Sequence, residues 1–461
     1  MRRRKCFIGV VAFMGANPMT LQNYMAFAFD LGRRHPDIDF YLQVIGKKEQ
    51  FRARNNLVNS AKGWMHDPND LLMMLDDDMI LPQHTFERLK NILDTIPDAG
   101  VAGGLYWQRA GSYRPVIQKI IYQGDAVATQ WYQPHEITGG IMQVGVLGGG
   151  CLLMPMRAVQ ALMPPAFWVD GIVGTDVHFC IRLNQAGFNA YCDTGLEIGH
   201  VSDGISITSK NLPTHIKKFA KFCKDLEEST CNYLKIDRQA LESWQLSGLW
   251  ALENKWAEKP RETFDAIKDA YLSIGNTAVV RNVFYACNGN TAVEGFAGLI
   301  ETVDRELINK DYPILDYGCG VGIATEILAQ GGYQVEAMDL ADSAVLKFAE
   351  WRLKEHGVID RVTIRPVTSF MPEFQEKYSA LILLDILEHL DNPHEILETL
   401  LQRLIPGGYL HTNFAACEFK GAEAEIPQHL KKISVPEFEA LLDKYGFRLI
   451  NNLLFQKKKE A

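Results

Sequence analysis

The chain has no Cys-x-x-Cys pair, and its nine cysteines are scattered and odd in number. That argues against a disulfide framework or a zinc cluster and fits reduced thiols in a cytoplasmic setting. No run reaches the ~18 apolar residues that a membrane-spanning helix needs. The apolar stretch behind Arg2-Arg3-Arg4-Lys5 is short and leads into a polar helix start. It therefore reads as a buried first strand with a basic flank, not as a secretory leader. Positive charge is in deficit, with 47 Lys and Arg against 56 Asp and Glu and a net charge of −9. Such a balance gives no overall attraction to nucleic acid or to an anionic membrane. Low-complexity linkers and internal repeats are missing too. What is present, 461 residues that are 47% hydrophobic, suffices for two cores and a connection between them.

The order of patterns supports that division. Residues 1–205 alternate strand and helix signals: a strand over 5–13, a helix that Thr20 can cap running to 34, and a strand over 40–45. A helix over 53–64 and a short buried strand over 71–75 follow. Alternation of this kind indicates βαβ units and a mostly parallel sheet. Residues 206–290 are richer in charge and read as a helical connector, punctuated by Pro213 and Pro260. From Ile314 the βα alternation restarts.

Two segments carry chemistry. The first is Asp76-Asp77-Asp78, closing the apolar run Leu71 to Leu75. Carboxylates at the end of a parallel strand stand where open α/β sheets bind ligands. They suit Mg²⁺ or Mn²⁺, which as a Lewis acid neutralises a departing nucleotide diphosphate. An acidic turn is the plain alternative. Around the triplet lie Arg52-Ala53-Arg54-Asn55 upstream and, downstream, Gly148-Gly149-Gly150-Cys151, Gly174-Thr175-Asp176, Gly187-Phe188 and Ile198-Gly199-His200. In this order the set resembles the family 2 glycosyltransferases and their relatives of the GT-A fold.

The resemblance implies a nucleotide-sugar donor (a UDP- or GDP-sugar) and a saccharide or glycoconjugate acceptor. Asp76, with Asp77 beside it, would contact the donor, and Asp78 would ligate the metal. Arg52 or Arg54 would touch the base or diphosphate, and His200 would complete the metal site unless it is a structural histidine. Asp176 falls at the acceptor-base position, where a carboxylate takes the hydroxyl proton; a helix N-cap is the competing role. Thr175 departs from the family's usual Glu. Tyr106, Trp107, Arg109, Tyr113, Arg114 and Trp131 offer an aromatic acceptor platform.

The second segment is Asp316-x-Gly318-x-Gly320-x-Gly322, between an apolar strand and a helix that runs to 330, with Asp339 seventeen residues after Gly322. Its glycines let the backbone approach a ligand closely, and an acidic side chain at the next strand end can hold ribose hydroxyls. NAD would fit this turn as well. The run Ala380 to Leu390, Pro393 and Leu404 to Leu410 removes the ambiguity. Together these pieces resemble the class I S-adenosylmethionine methyltransferases, most closely the small-molecule O-methylating branch. The resemblance implies that Gly318, Gly320 and Gly322 cradle the methionine end with Asp316 nearby, and that Asp339 holds the ribose. Thr368-Ser369 stands where an acidic residue often reads the adenine. Asp385-x-x-Glu388-His389 is similar to a metal-binding cluster of ubiquinone-type O-methyltransferases, or else an ordinary strand end. His389 or His429 could serve as general base.

The expected fold is α/β, with two Rossmann-like domains: a GT-A nucleotide-sugar domain at 1–205 and a class I methyltransferase domain at 291–461, joined by the connector at 206–290. The expected function is a bifunctional transferase that installs a sugar and methylates a sugar hydroxyl. Its rivals are a methyltransferase guided by a degenerate GT-A carbohydrate-binding module and a modifier of protein or nucleic acid.

Overall fold

The computed structural model describes residues 2–12, 18–46, 49–109, 111–123, 126–168, 174–202, 204–245, 263–369, 371–414, 433–451 and 453–459. The chain divides into two compact units, Met1–Pro213 and Thr214–Ala461. Among the described residues no helix is long and apolar enough to cross a membrane.

The first unit is built on β1 (Arg4–Ala12), α1 (Pro18–Arg34), β2 (Ile38–Gly46), α2 (Gln50–Trp64), β3 (Leu71–Asp76), β4 (Met79–Ile80), α3 (Thr85–Thr95) and β5 (Ala99–Leu105). After these come β6 (Ile117–Gln123), β7 (Ala126–Trp131), β8 (Ile141–Val144), β9 (Val146–Leu147), β10 (Cys151–Pro155), α4 (Met156–Ala161), α5 (Thr175–Gln185), β11 (Asn189–Glu197), β12 (Gly199–Ser202) and β13 (Ile205–Ile207). A seven-stranded mixed sheet runs β2-β1-β3-β10-β5-β11-β8. In it β10 lies antiparallel between β3 and β5. The central strands β3 and β10 are buried on both faces, which explains their unbroken Leu and Met runs where a half-exposed strand would alternate. Thr20 does not cap α1. The helix starts two residues earlier at Pro18, which suits a first turn, and Thr20 is buried inside it.

The second unit opens with helices α6 (Thr214–Leu234), α7 (Phe264–Ile274), α8 (Asn276–Asn288) and α9 (Asn290–Asp304). The stretch expected to connect two domains thus contributes helices to this compact unit. Then follow β14 (Ile314–Tyr317), α10 (Ile323–Gln330), β15 (Val335–Leu340), α11 (Ala344–Glu355), β16 (Val362–Val367), β17 (Tyr378–Leu383), α12 (Pro393–Arg403), β18 (Leu404–Thr412), α13 (Val435–Lys444), β19 (Phe447–Asn451) and β20 (Leu454–Lys457). The sheet order is β16-β15-β14-β17-β18-β20-β19. Its first five strands are parallel, and β20 is antiparallel to both neighbours. The order reverses between β14 and β17. Open α/β sheets form a ligand crevice at such a switch, beyond the strands' carboxyl ends.

Candidate functional site

In the first unit the acidic triplet leaves β3 at its carboxyl end. The neighbouring strand β4 pairs with β12, His200 opposite Met79, and the Val201 N–H donates to the Asp78 carbonyl at 2.8 Å. That register brings the imidazole to the triplet. His200 Nδ1 lies 2.7 Å from the Trp107 carbonyl, which can only accept, so Nδ1 carries the hydrogen. The other nitrogen, Nε2, faces Asp78 Oδ2 at 3.3 Å. In a neutral ring, two lone pairs would meet there. A proton or a metal cation between them removes the conflict. Asp78 Oδ1 is buried without a hydrogen-bond partner among the described residues, while Oδ2 also accepts from Arg109 at 2.7 Å. Burial would raise the Asp78 carboxyl, but His200 and Arg109 hold it below the ordinary carboxylate range. One oxygen and one nitrogen ligand suit a divalent cation that takes its remaining ligands from a donor. Among the described residues no three His, Cys, Asp or Glu side chains gather closely enough to hold an ion alone.

Arg54 occupies a different place from the donor contact expected of it. Its side chain is 1% exposed. Nη2 donates to both Asp76 oxygens at 3.2 and 3.1 Å, and Nη1 donates to Asp176 Oδ1 and to the Thr175 hydroxyl. The guanidinium therefore ties the end of β3 to the start of α5. A Cβ on Gly149 would collide with Arg54 Nη2, so this turn needs glycine to let the guanidinium in. Arg52 is on the surface, paired with Glu49.

Asp176 is not the cap of α5. Gly174 holds that position, without a side-chain cap bond. The Asp176 carboxylate instead accepts from Arg54, from Thr175 Oγ1 at 3.0 Å and from the Gly149 N–H at 2.8 Å. Oδ2, with its single partner here, keeps a lone pair for another donor. Thr175, the departure from the Glu usual in the family resembled, joins Arg54 to Asp176 through its hydroxyl. Burial pushes Asp76 up to about 6 against the pull of Arg54. Asp77 is buried as well. The expected aromatic platform does not form as one surface: Tyr106, Trp107 and Arg114 are buried. Trp107 Nε1 donates to Glu197 at 2.8 Å, and the Tyr106 hydroxyl accepts from the Gly150 N–H.

In the second unit the glycines turn in the left-handed region, with φ of 77° at Gly318, 52° at Gly320 and 78° at Gly322. Only glycine adopts these angles without strain. Gly318 also packs against Ile386, which a Cβ would meet at 2.6 Å. Asp339 accepts from the Gly320 N–H and from the Leu340 N–H, both at 2.7 Å, and burial raises its carboxyl. Asp316 is buried beneath the turn and accepts from the Thr325 N–H at 2.9 Å and hydroxyl at 2.6 Å. It thereby fixes the start of α10, and burial lifts its carboxyl to about 7 despite these bonds.

At the end of β17, Asp385 sits at φ 50°. It exchanges two hydrogen bonds with Asn413 at 2.8 and 2.9 Å and accepts from the Tyr285 hydroxyl at 3.3 Å. Burial, and then Glu388 nearby, push its carboxyl well above the usual range. Glu388 and His389 follow in the turn Leu387–His389. With Asp385 they do not make a three-ligand metal cluster. His429 lies outside the described residues. The sequence reading missed Tyr285, Asn282 and Asn413. Asn413 had a signal, a polar residue directly after a parallel strand. Asn282 and Tyr285 had none, because they sit on α8, whose packing beside the glycine turn is tertiary.

Both the strand order of the second unit and its glycine turn are those of a Rossmann-like methyltransferase. Residues 294–452 match the family model described as a methyltransferase domain. This part of the chain is a class I S-adenosylmethionine methyltransferase domain. The chain is similar to the ubiquinone biosynthesis O-methyltransferase of Bordetella avium, 33% identical over 97 residues, covering 21% of this chain and 40% of the relative. The protein of the same description from Nitrosospira multiformis is 35% identical over 112 residues, covering 23% and 45%. The chain thus spans less than half the length of these curated relatives. Among solved structures, a glycopeptide N-methyltransferase complexed with S-adenosyl-L-homocysteine aligns at 22% identity, covering 26% of this chain and 47% of that one, with a TM-score of 0.23.

Proposed function

We propose that the chain is a bifunctional transferase, in which the second unit methylates an acceptor and the first transfers a sugar from a nucleotide-sugar donor. The family match over 294–452 carries the methyl-transfer reading. S-adenosylmethionine, when bound, supplies a methyl group on a positively charged sulfur. Gly318, Gly320 and Gly322 bring the backbone close to its methionine end, and Asp339 accepts the ribose hydroxyls with the lone pairs its backbone partners leave. Tyr285 and Asp385 border the place where an acceptor enters. His389 would take the proton that an acceptor hydroxyl gives up.

The sugar-transfer reading rests on one convergence: Asp76, Asp78, Asp176 and His200 lie at one end of the first sheet, although up to 124 residues separate them in sequence. A divalent cation held by Asp78 and His200 supplies positive charge for a departing diphosphate. Asp76 contacts the donor's ribose. Asp176 Oδ2 takes the acceptor hydroxyl's proton. The probes are S-adenosylhomocysteine by calorimetry, and UDP- and GDP-sugars with Mn²⁺ by thermal shift, since a ligand that binds the folded state raises its melting point. Asp339→Ala should lose S-adenosylhomocysteine binding and keep the Mn²⁺-dependent nucleotide-sugar shift. Asp78→Asn should do the reverse. If the wild type gives no shift with any nucleotide sugar, the first unit is not a transferase, and the methyltransferase reading stands on its own test.

A further inference from the structure

We infer that the free edge of the first unit's sheet is a self-association face, on which β2 of one copy pairs antiparallel with β2 of a second while their α1 helices pack across the two-fold axis. The helix α1 is an unusual surface helix. From Pro18 to Phe29 it has no Asp, Glu, Lys or Arg. Its inner face buries Phe27 and Leu31 in the core cluster that also holds Ile8, Val10 and Ile38. Its outer face shows Met19, Leu21, Met25 and Phe29, the last 75% exposed. Leu21, Met25 and Phe29 recur every four residues and form one stripe. A solvated helix normally shows charge there.

The strand beside it repeats the anomaly. Among the described residues β2 ends the sheet and pairs only with β1, so one side of its backbone offers donors and acceptors to a new strand over nine residues. Edge strands are ordinarily protected by charge, proline or a bulge. β2 has no proline, and its register with β1 runs without a shift. Its one charge, Asp39, is bonded to Arg3 of the same chain. Leu42 and Val44 continue the alternation of Ile38 and Phe40, so they point to the face that bears α1; they are 54% and 59% exposed.

The patch therefore joins an open backbone edge to an apolar ridge on one side. The five exposed side chains Leu21, Met25, Phe29, Leu42 and Val44 give on the order of 550 Å² of apolar surface per copy, near the upper limit of what isolated monomers show. Doubled across a two-fold axis it clears the roughly 1,000 Å² that a specific interface needs. A second copy is the occupant that fits. A two-fold axis perpendicular to the sheet sets an uncharged patch against itself, needs no complementary charge, and keeps both α1 helices on the same face.

Light scattering of the full chain tests this. The expected mass is 104 kDa, twice 52.0 kDa, falling to 52.0 kDa for Phe29→Lys and for Val44→Lys. Both positions are exposed, so the melting temperature of the dissociated chain should change little. Independently of any variant, amide exchange in β2 of the wild type should slow as concentration rises. A wild type that stays at 52.0 kDa up to about 100 µM, where interfaces of this size associate, overturns the inference. So does a dimer that both lysine variants leave intact. Monomeric chain that sediments with phosphatidylserine vesicles and is released by Phe29→Lys would assign the patch to a lipid surface and also overturn it.

Discussion

Arg54→Met is the sharpest test of the first site. The guanidinium is 1% exposed, between carboxylates that are 16% and 28% exposed. Met retains much of the side-chain volume and removes the charge, so packing changes little while Asp76 and Asp176 are left facing each other. Removing one partner of a buried ion pair costs about 3–5 kcal/mol. The partial exposure of both carboxylates puts this case at the lower end, about 3 kcal/mol. For a unit of this size each kcal/mol is worth about 2–4 °C. The first unit's calorimetric transition should therefore fall by about 10 °C near neutral pH, measured with chelator present.

Two controls separate charge from shape. Asp76→Asn with Asp176→Asn in the Arg54→Met background should restore most of the loss, because no stranded charge remains. Acid should restore part of it as well. Burial already raises Asp76 to about 6, and losing Arg54 removes a group that lowers it. A carboxyl whose folded pKa exceeds its unfolded value favours folding at low pH, an advantage lost as pH rises through the folded pKa. The deficit of Arg54→Met should accordingly shrink toward about pH 5 and widen toward about pH 8. A transition within about 2 °C of wild type, or a deficit independent of pH, would show that Arg54 does not hold the two carboxylates together.

The buried Asp316, lifted to about 7, follows the same sign: the second unit should lose stability as pH rises from about 4 to 7, by at most about 4 kcal/mol, because each tenfold fall in acidity across that window is worth about 1.4 kcal/mol. Asp316→Asn keeps an acceptor for Thr325 and should flatten that dependence in urea titrations from about pH 4 to 8; parallel slopes for the two proteins would refute the assignment. Gly149→Ala drives a methyl group into the Arg54 guanidinium and should cost about 1–3 kcal/mol as an overpacking change, visible as a lower calorimetric transition. Asp176→Asn removes the charge that faces the buried Arg54 together with the proposed base, so it should lower the first unit's calorimetric transition and lower sugar transfer by about 10²-fold, the usual scale of lost base catalysis. Near-normal transfer in that variant would remove Asp176 from the chemistry.

Local signals made much of the architecture readable. The unbroken Leu and Met run before Asp76 marks a strand buried on both faces, and its acidic ending marks a strand's carboxyl end. The alternating glycines from Gly318 to Gly322 state their own backbone angles, because those angles suit no other residue. Asp339 could be placed from spacing alone, since one βα unit later the chain returns beside the same turn. In each case the cause lies within one βαβ unit.

The rest depended on contacts that spacing does not encode. The resemblance implied that Arg52 or Arg54 would touch the donor's base or diphosphate. The fold turns Arg54 inward to Asp176, 122 residues away, where a buried guanidinium left without a neutralising partner would be costly. The same holds for Tyr106 and Trp107, which pattern offered as a platform and packing placed inside, and for α8, whose charge-rich surroundings suggested a connector although it sets Asn282 beside the glycine turn and Tyr285 beside Asp385. Which residues could bear charge, bend the backbone or end a strand was written in the chain, since these properties belong to single residues and short periods. Which charges met and which faced water was settled by the folded arrangement, because pairing and desolvation are set by neighbours that the chain brings together only after it has crossed the sheet.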